Sequence, residues 1–208
     1  MGEDLPKQFL PVGGRPVLMR TLERFQICDP EMKIILVLPS AQREYWQELC
    51  LKYALKVPYS LVDGGETRFH SVLHGLMVAE PDGVIGVHDG VRPFASEEVI
   101  RRCFDTAIRD GSAVPVVPLV DSLRRLHSEG GSEVADRTEY CLVQTPQVFR
   151  ADWLFEAYRQ PFTESFTDDA SVVEGVGHSI TLVEGNRENI KLTTPLDLKI
   201  AELFCQDV

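Results

Sequence analysis

An acid and an arginine follow directly after an apolar run near the middle of the chain. The run at 83–87 reads as a buried strand and ends in His88-Asp89-Gly90, with Arg92 three residues beyond the acid. Ligands of open α/β sheets bind beyond the carboxyl ends of the strands. A carboxylate there can hold Mg²⁺ against a phosphate, and an arginine fork suits phosphate oxygens. The pattern predicts a phosphate site at Asp89 and Arg92, with a plain turn and a surface arginine as the alternative, and a hydrogen-bonding or packing role for His88.

Four further polar clusters lie at tight turns or at predicted strand ends. Residues 63–71 follow a strand and open a helix, where N–H groups of a glycine turn can receive a ligand, although Asp-Gly-Gly is also common turn chemistry. Lys7 follows a proline near the start of the chain and is either a phosphate ligand or a solvated surface residue. Lys191 falls on a predicted strand, which would fix its direction. The polar segment 144–147 follows the apolar strand 141–143.

All five clusters place a cation or a hydroxyl beside a tight turn, and only one of them supplies a candidate metal-site acid. This arrangement suits phosphoryl or nucleotidyl transfer, which depends on positioning and charge neutralisation rather than on a protein nucleophile. The sequence contains neither a GxSxG motif nor a GxxxxGK[ST] loop, and it lacks the GxGxxG of a Rossmann oxidoreductase. We therefore expect group transfer between phosphates.

The elements that must position these clusters alternate along the chain. Strands are predicted at 33–38, 59–62, 84–87, 113–119 and 180–183, and helices at 16–28, 41–51, 67–79, 96–109 and 151–158. The helix at 67–79 is clearest, because its apolar residues repeat at i, i+3, i+4, i+7 and i+8 from Phe69. A last helix opens at Thr194-Pro195, a cap followed by proline in the first turn. Strands separated by helices predict an α/β fold with a doubly wound, mainly parallel sheet.

The stretch 120–147 breaks this rhythm because it is strand-like but polar. Its halves, 122–127 and 132–137, flank a Glu-Gly-Gly-Ser turn and carry too little apolar surface for two buried faces. The pattern predicts a β-hairpin that projects from the domain. From these residues alone, a dimerisation arm and a simple surface excursion remain equally open.

Composition narrows the class of protein. The 208 residues carry a net charge of −11, which argues against a nucleic-acid partner because such a protein needs a basic face. No apolar stretch approaches the ~18 residues that a membrane helix needs, and the acidic start does not read as a signal peptide. The five cysteines are scattered, which indicates reduced thiols rather than a zinc site or a disulfide framework. We expect a cytoplasmic protein with no membrane partner.

Taken in order, the polar segments resemble the family of 2-C-methyl-D-erythritol 4-phosphate cytidylyltransferases of the non-mevalonate isoprenoid pathway. The resemblance covers essentially the whole chain, as a single nucleotidyltransferase-like, Rossmann-type domain at 1–208 with a projecting dimerisation arm at 120–140. The segments that carry it are Pro6-Lys7-Gln8-Phe9, Asp63-Gly64-Gly65 with Arg68 and Ser71, His88-Asp89-Gly90-Val91-Arg92-Pro93, Asp136-Arg137, Gln144-Thr145-Pro146-Gln147, Thr167-Asp168-Asp169-Ala170-Ser171 and Asn189-Ile190-Lys191.

The resemblance implies a role for each matching residue. The catalytic residues would be Lys7, on the CTP phosphates, with Asp89, Arg137 and Lys191, and Asp89 would also hold Mg²⁺. The substrate-binding residues would be Gly65, Arg68, Ser71, Arg92, Ser122, Thr145 and Thr167, with Gly65 and Ser71 at the cytosine and ribose end. Arg137 would reach into the site of the partner subunit from the arm of a homodimer.

The implied reaction joins a cytidylyl group from CTP to 2-C-methyl-D-erythritol 4-phosphate and gives 4-diphosphocytidyl-2-C-methyl-D-erythritol and pyrophosphate. The alternatives are a ribitol-5-phosphate cytidylyltransferase, which Asp136-Arg137 and the turn with Arg68 disfavour, and a non-catalytic nucleotide-binding dimer. Members of the family begin with an apolar strand and a glycine-rich loop, of which Met1-Gly2 resembles the last two residues. We therefore expect that the first strand and loop are missing from this sequence and that, if the chain begins here, CTP turnover is weak or absent.

Overall fold

A computed structural model describes residues 5–206 as strands alternating with helices. The strands are β1 Pro11–Val12, β2 Arg15–Pro16, β3 Ile35–Leu38, β4 Ser60–Asp63, β5 Val84–Val87, β6 Ser112–Pro118, β7 Leu123–Leu126, β8 Ser132–Ala135, β9 Cys141–Val143, β10 Gln147–Arg150 and β11 Leu182–Glu184. The helices are α1 Val17–Cys28, α2 Arg43–Lys52, α3 Arg68–Leu76, α4 Glu97–Asp110, α5 Ala151–Ala157, α6 Asp169–Glu174 and α7 Pro195–Phe204. The Met1-Gly2 pair lies outside the described residues.

The larger sheet has five strands and is mixed. Its path runs β11-β6-β10-β5, and β9 pairs with the later part of β6. The ladder between β11 and β6 is parallel, whereas β6–β10, β10–β5 and β6–β9 are antiparallel. Strands β3 and β4 form a separate parallel pair. The expectation of a mainly parallel sheet is therefore wrong for the five-stranded sheet, because β10, which the sequence did not reveal as a strand, enters antiparallel between β5 and β6.

Helices cover both faces of the larger sheet. Adjacent residues of a strand point to opposite faces, and Val148 of β10 packs in one cluster with Val99 and Cys103 of α4. Its neighbour Phe149 packs in another cluster with residues of α3, α5 and α6. A third cluster joins β3 to α1 and α2 around the buried ring of Trp46. The sheet thus packs between two apolar layers. Polar groups can therefore lie at the ends of its strands.

Side-chain caps mark where several of the helices begin. The side chain of Thr67 accepts the N–H of His70 at the start of α3, and Ser96 accepts the N–H of Val99 at the start of α4. Gly111 ends α4 with a φ of 93°, a left-handed conformation that favours glycine. Helix α7 opens with a capping box between Thr194 and Asp197 and has proline in its first turn, as predicted.

The polar stretch after β6 forms a hairpin, as its sequence predicted. Strand β7 pairs with β8 from Leu123↔Ala135 to Leu126↔Ser132, and among the described residues neither strand joins the larger sheet. Residues Leu126 and Val134 are 80% and 79% exposed. Within residues 5–206, no helix combines the length and the apolar character needed to cross a membrane.

Candidate active site

The register of β10 against β5 brings two separate polar segments together. Gln147 pairs with Val87, so the residues that precede β10 lie beside the residues that follow β5. The backbone N–H of Asp89 accordingly donates to the hydroxyl of Thr145 at 3.1 Å. The sequence placed both residues after apolar strands, and the antiparallel pairing makes them neighbours.

Three cationic side chains converge on the carboxylate of Asp89. Lys191 Nζ lies 3.0 Å and Arg92 Nε 3.3 Å from Oδ2, and Arg68 Nε lies 3.6 Å from Oδ1. The Asp89 side chain is 13% exposed. Burial acts to raise the pKa of Asp89, but the charges of these three residues outweigh burial and hold the pKa below its usual value. Asp89 is therefore an ionised carboxylate within a net positive cluster.

His88 is a hydrogen-bonding residue, as the sequence predicted. Its Nδ1 lies 3.0 Å from the Thr145 hydroxyl, its Nε2 lies 3.0 Å from the carbonyl oxygen of Arg92, and its ring packs against Phe25 in a T-shaped arrangement. Burial lowers the pKa of His88 to about 4, more than the neighbouring groups raise it. The imidazole is therefore neutral at pH 7 and acts as a structural link beside Asp89.

The segment that carries Lys191 is not a strand, which corrects the prediction for this residue. It is an irregular segment held by the N–H of Leu192, which donates to the carbonyl of Val91 at 3.0 Å. Arg92 Nη1 donates to the carbonyl of Asn189 at 2.8 Å, and Asn189 Nδ2 donates to the carbonyl of Thr145 at 2.8 Å. These contacts supply the fixed direction that the prediction assigned to a sheet ladder.

Arg68 is held by a buried acid. Its Nη1 and Nη2 donate to the two carboxylate oxygens of Asp169 at 3.0 and 2.5 Å, while its Nε faces Asp89. Asp169 is 0% exposed and also accepts the hydroxyl proton of Tyr158 at 2.6 Å. Burial acts to lower the pKa of Arg68, but the charge and hydrogen bonds of Asp169 raise it overall. Arg68 is thus a permanently charged link between α3 and α6.

Gln147 holds the segment that begins helix α6. Gln147 Nε2 donates to Asp168 at 2.8 Å, and Gln147 Oε1 accepts the N–H of Ala170 at 2.9 Å. Asp168 also forms a capping box with Ser171 at the start of α6. Because Gln147 lies on β10, it ties the segment that contains Thr167 to the sheet.

Together these residues enclose a cavity of about 320 Å³. Six of its lining residues were predicted from the sequence, namely Arg68, Asp89, Arg92, Thr145, Thr167 and Lys191. Its remaining lining residues were not assigned a role, namely Val143, Gln144, Gln147 and Asp168. A cavity of this size, with cations at one side and hydroxyl, amide and carboxylate groups around them, fits a phosphorylated, hydroxyl-rich molecule.

The other predicted site residues lie outside this lining. Lys7 donates to the carbonyl of Thr193, so its side chain lies against the segment that carries Lys191. Gly65 precedes α3 and donates its N–H to Ser71 Oγ at 3.1 Å. A Cβ atom on Gly65 would lie 2.4 Å from Cβ of His70, so this turn admits only glycine. Ser122 and Arg137 lie on the exposed hairpin segment, where Arg137 donates to the carbonyl of Val120.

No group of three or more His, Cys, Asp or Glu side chains that could hold a metal occurs within residues 5–206. Two carboxylates, Asp89 and Asp168, line the cavity. Protein sites for Mg²⁺ commonly offer one or two carboxylates and take their remaining ligands from water and substrate phosphates. The donor set of this cavity fits that pattern.

Comparison with known proteins shows which family the chain belongs to. The family model described as 2-C-methyl-D-erythritol 4-phosphate cytidylyltransferase matches residues 1–207. A relative of that name from Bacteroides fragilis is 58% identical over 201 residues, covering 97% of this chain and 91% of the relative. The chain belongs to this cytidylyltransferase family.

Solved structures of cytidylyltransferases share its fold. The crystal structure of 2-C-methyl-D-erythritol 4-phosphate cytidylyltransferase from Thermus thermophilus is 34% identical and superposes with a TM-score of 0.83, covering 97% of this chain and 94% of that one. The 4-diphosphocytidyl-2C-methyl-D-erythritolsynthase structure from Anaerococcus prevotii is 27% identical with a TM-score of 0.85, covering 99% of this chain and 92% of that one.

Proposed function

We propose that this cytidylyltransferase-family protein transfers the cytidylyl group of CTP to 2-C-methyl-D-erythritol 4-phosphate in isoprenoid biosynthesis. The observation that carries the proposal is the group of three cations around one ionised acid in the cavity. Arg68, Arg92 and Lys191 lie within 3.6 Å of Asp89, and the chain belongs to a family whose relatives are named for this activity. Without substrate, the Asp89 carboxylate occupies a position among the cations that phosphate oxygens could take.

The proposed reaction needs no covalent protein intermediate. A phosphate oxygen of the acceptor attacks the α-phosphorus of CTP, and the bond from that phosphorus to the oxygen that bridges to the β-phosphate breaks. Pyrophosphate leaves with the electron pair of that bond. The protein supplies alignment and positive charge, which are the main sources of acceleration in phosphoryl transfer.

The acceptor pocket would be formed by the lining residues. Arg92 and Lys191 would bind the acceptor phosphate, with Arg68 beside them. Thr145, Thr167 and Ser122 would contact the polyol. The pocket presents hydroxyl and amide groups away from the cations, which suits the hydroxyl groups of a sugar alcohol.

The nucleotide would lie toward α3 and Lys7. The Gly65 turn, closed by Ser71, would receive the cytosine and ribose, because glycine allows the backbone to approach a ligand closely. Lys7 would contact the CTP phosphates and stabilise negative charge that develops on the α-phosphate. Its hydrogen bond to Thr193 keeps it near Lys191 on the cation-rich side.

Asp89 would also hold Mg²⁺, with substrate phosphates and water completing the coordination. The ion would supply positive charge to the triphosphate and the leaving pyrophosphate. Its binding is compatible with the cation cluster, since substrate phosphates would compete with Asp89 for Arg92 and Lys191.

We further propose that the chain is a homodimer through the arm at 120–140. The hairpin β7–β8 pairs only with itself among the described strands and exposes Leu126 and Val134. Both lie on the same face of the hairpin, because Val134 pairs with Arg124 and Leu126 lies two residues further along β7. Apolar side chains gathered on one surface favour a protein partner, and Arg137 on this segment would then reach the partner subunit's cavity.

We propose that the protein is cytoplasmic. Cys28, Cys50, Cys103, Cys141 and Cys205 are all free thiols. Reduced cysteines are typical of the cytosol, where thiols are kept reduced.

The function is tested by pyrophosphate release from CTP and Mg²⁺. We expect release with 2-C-methyl-D-erythritol 4-phosphate and little or none with ribitol 5-phosphate, and Asp89→Asn should abolish it. The matched control is Asp105→Asn, a change of the same type on α4 outside the cavity, which should keep wild-type activity. Faster turnover of ribitol 5-phosphate, or nucleotide binding without pyrophosphate release, would contradict the proposal.

A further inference from the structure

The carboxylate of Asp169 is fully buried and fully engaged. It receives two hydrogen bonds from the guanidinium of Arg68, at 3.0 and 2.5 Å, and one from the hydroxyl of Tyr158, at 2.6 Å. Asp169 is 0% exposed, and Tyr158 is 3% exposed. A buried acid is costly unless it is paired, and removal of its partner is strongly destabilising. The protein therefore keeps a buried carboxylate, which is costly to desolvate, beside the cavity but outside its lining.

The geometry divides the Arg68 guanidinium between two acids. Its two Nη atoms face Asp169, whereas its Nε lies 3.6 Å from Asp89, beyond a normal hydrogen bond. The planar fork cannot turn both Nη donors to Asp89 without breaking the ion pair with Asp169. Asp169 thus limits how closely Arg68 approaches Asp89.

We infer that Asp169 and Tyr158 are positioning residues for the transfer reaction. They hold the Arg68 guanidinium at a distance from which its charge acts on Asp89 but it does not hydrogen-bond to the Asp89 carboxylate. The inference rests on the proposed function, in which Asp89 and the cations act on substrate phosphates. Asp89 keeps acceptor capacity for substrate and metal only if Arg68 remains on Asp169.

Tyr158 fixes the orientation of the acid. Its ring stacks on Phe69 with centroids 4.7 Å apart, and its hydroxyl donates to the same Asp169 oxygen that receives Arg68 Nη1. Burial and the charge of Asp169 raise the pKa of Tyr158, so the phenol stays a hydrogen-bond donor. With Tyr158 in place, the carboxylate presents its two oxygens to the arginine fork in one rotamer.

The decisive substitutions are Asp169→Asn and Tyr158→Phe. Asparagine keeps the shape of the acid but removes its charge and turns an NH₂ group toward Arg68, so the guanidinium should move onto Asp89. We expect kcat to fall by about 10- to 100-fold, with KM for CTP within twofold of wild type. Tyr158→Phe keeps the stacking and removes only one hydrogen bond, so we expect a smaller loss of about 3- to 10-fold. Asp169→Glu restores the charge and should recover part of the activity.

A double-mutant cycle separates positioning from simple folding. If Asp169 acts through Arg68, then Asp169→Asn should change kcat less than twofold in an Arg68→Met background, whereas independent effects would multiply. A crystal structure of the Asp169→Asn variant should show the Arg68 guanidinium bonded to Asp89. Thermal unfolding of each variant ensures that rates are compared for folded protein.

The outcomes are distinct. Wild-type protein without pyrophosphate release would contradict the proposed function and this inference together. An active wild type, combined with multiplicative effects in the cycle or an unmoved Arg68 in the variant structure, would overturn the inference alone.

Discussion

The hydroxyl of Thr145 lies 3.0 Å from Nδ1 of His88, and this contact determines what Thr145 can offer to a substrate. His88 Nε2 faces the carbonyl of Arg92, so Nε2 carries the proton and Nδ1 is an acceptor. Thr145 must then donate its proton to His88 while it accepts the N–H of Asp89. The hydroxyl proton is committed inside the protein, so Thr145 can only accept a hydrogen bond from a substrate hydroxyl.

Substitution of Thr145 by valine should therefore impair both stability and activity. Valine keeps the shape but leaves Asp89 N–H and His88 Nδ1 without a partner, which should cost about 1–3 kcal/mol of unfolding free energy. The position of Asp89 should loosen, and we expect kcat/KM for the acceptor to fall by at least about tenfold. Urea unfolding and steady-state kinetics measure the two effects.

Thr145→Ser is the matched control because it keeps the hydroxyl. It should retain activity within about threefold of wild type and lose less stability than the valine variant. Equal behaviour of the serine and valine variants would show that the hydroxyl is not what matters at this position.

His88 should make the protein less stable as the pH falls from 6.5 toward 4. Its pKa in the folded protein is lowered to about 4, so below the ordinary value of 6.5 the unfolded chain takes up a proton that the folded protein does not. The contribution is fully present above pH 6.5 and is lost on acidification. Asp89, whose pKa is below its usual value, contributes its own loss only at lower pH, below about 4.

This dependence can be isolated with His88→Gln. Between pH 7 and pH 5 we expect the unfolding free energy of wild type to fall by about 1–2 kcal/mol more than that of the variant. His127→Gln, on the exposed end of the hairpin, should behave like wild type. Identical pH slopes for wild type and the His88 variant would count against a lowered pKa for His88 in the folded protein.

The sequence predicted the site where local rules suffice. Asp89 follows an apolar run and Arg92 follows Asp89, and each could be placed at a strand end from spacing alone. The helix at α3 was predicted because its apolar period is strong, and in the structure Thr67 caps it. The fold differed where pairing is non-local: β10 has only four residues, and nothing in its sequence states that it enters antiparallel between β5 and β6.

The same limit explains the residues that were not assigned a role. Asp169 reads as a polar residue near a helix start, and its burial follows only from the contact with Arg68, 101 positions away. Asn189 and Gln147 are ordinary polar residues in sequence, yet both are buried and join segments that meet only in the fold. Lys191 was placed on a strand, but the neighbouring apolar side chains of Ile190 and Leu192 pack against α7 and β1 rather than in a ladder.

Lys191→Met should weaken acceptor binding. Lys191 Nζ lies 3.0 Å from Asp89 and lines the cavity, so its loss removes one of three positive charges available to a phosphate. We expect kcat/KM for the acceptor to fall by about 10- to 100-fold. Lys191 is also the strongest charge that lowers the pKa of Asp89, so the acidic limb of the pH–rate profile should move to higher pH in the variant. Lys199→Met, on the exposed face of α7, is the control and should leave both quantities unchanged.

A mixing experiment tests whether Arg137 acts in the partner subunit's cavity. Arg137→Ala and Asp89→Asn should each inactivate the homodimer, since each removes a proposed catalytic group from both sites. If Arg137 acts across the interface, a mixed dimer has one intact site, and an equal mixture after subunit exchange should recover about a quarter of wild-type activity. If Arg137 acts in its own subunit, every site in the mixture carries one defect and no activity returns. Sedimentation must show dimers throughout, and Arg124→Ala, on the same hairpin, serves as the control that should stay active alone.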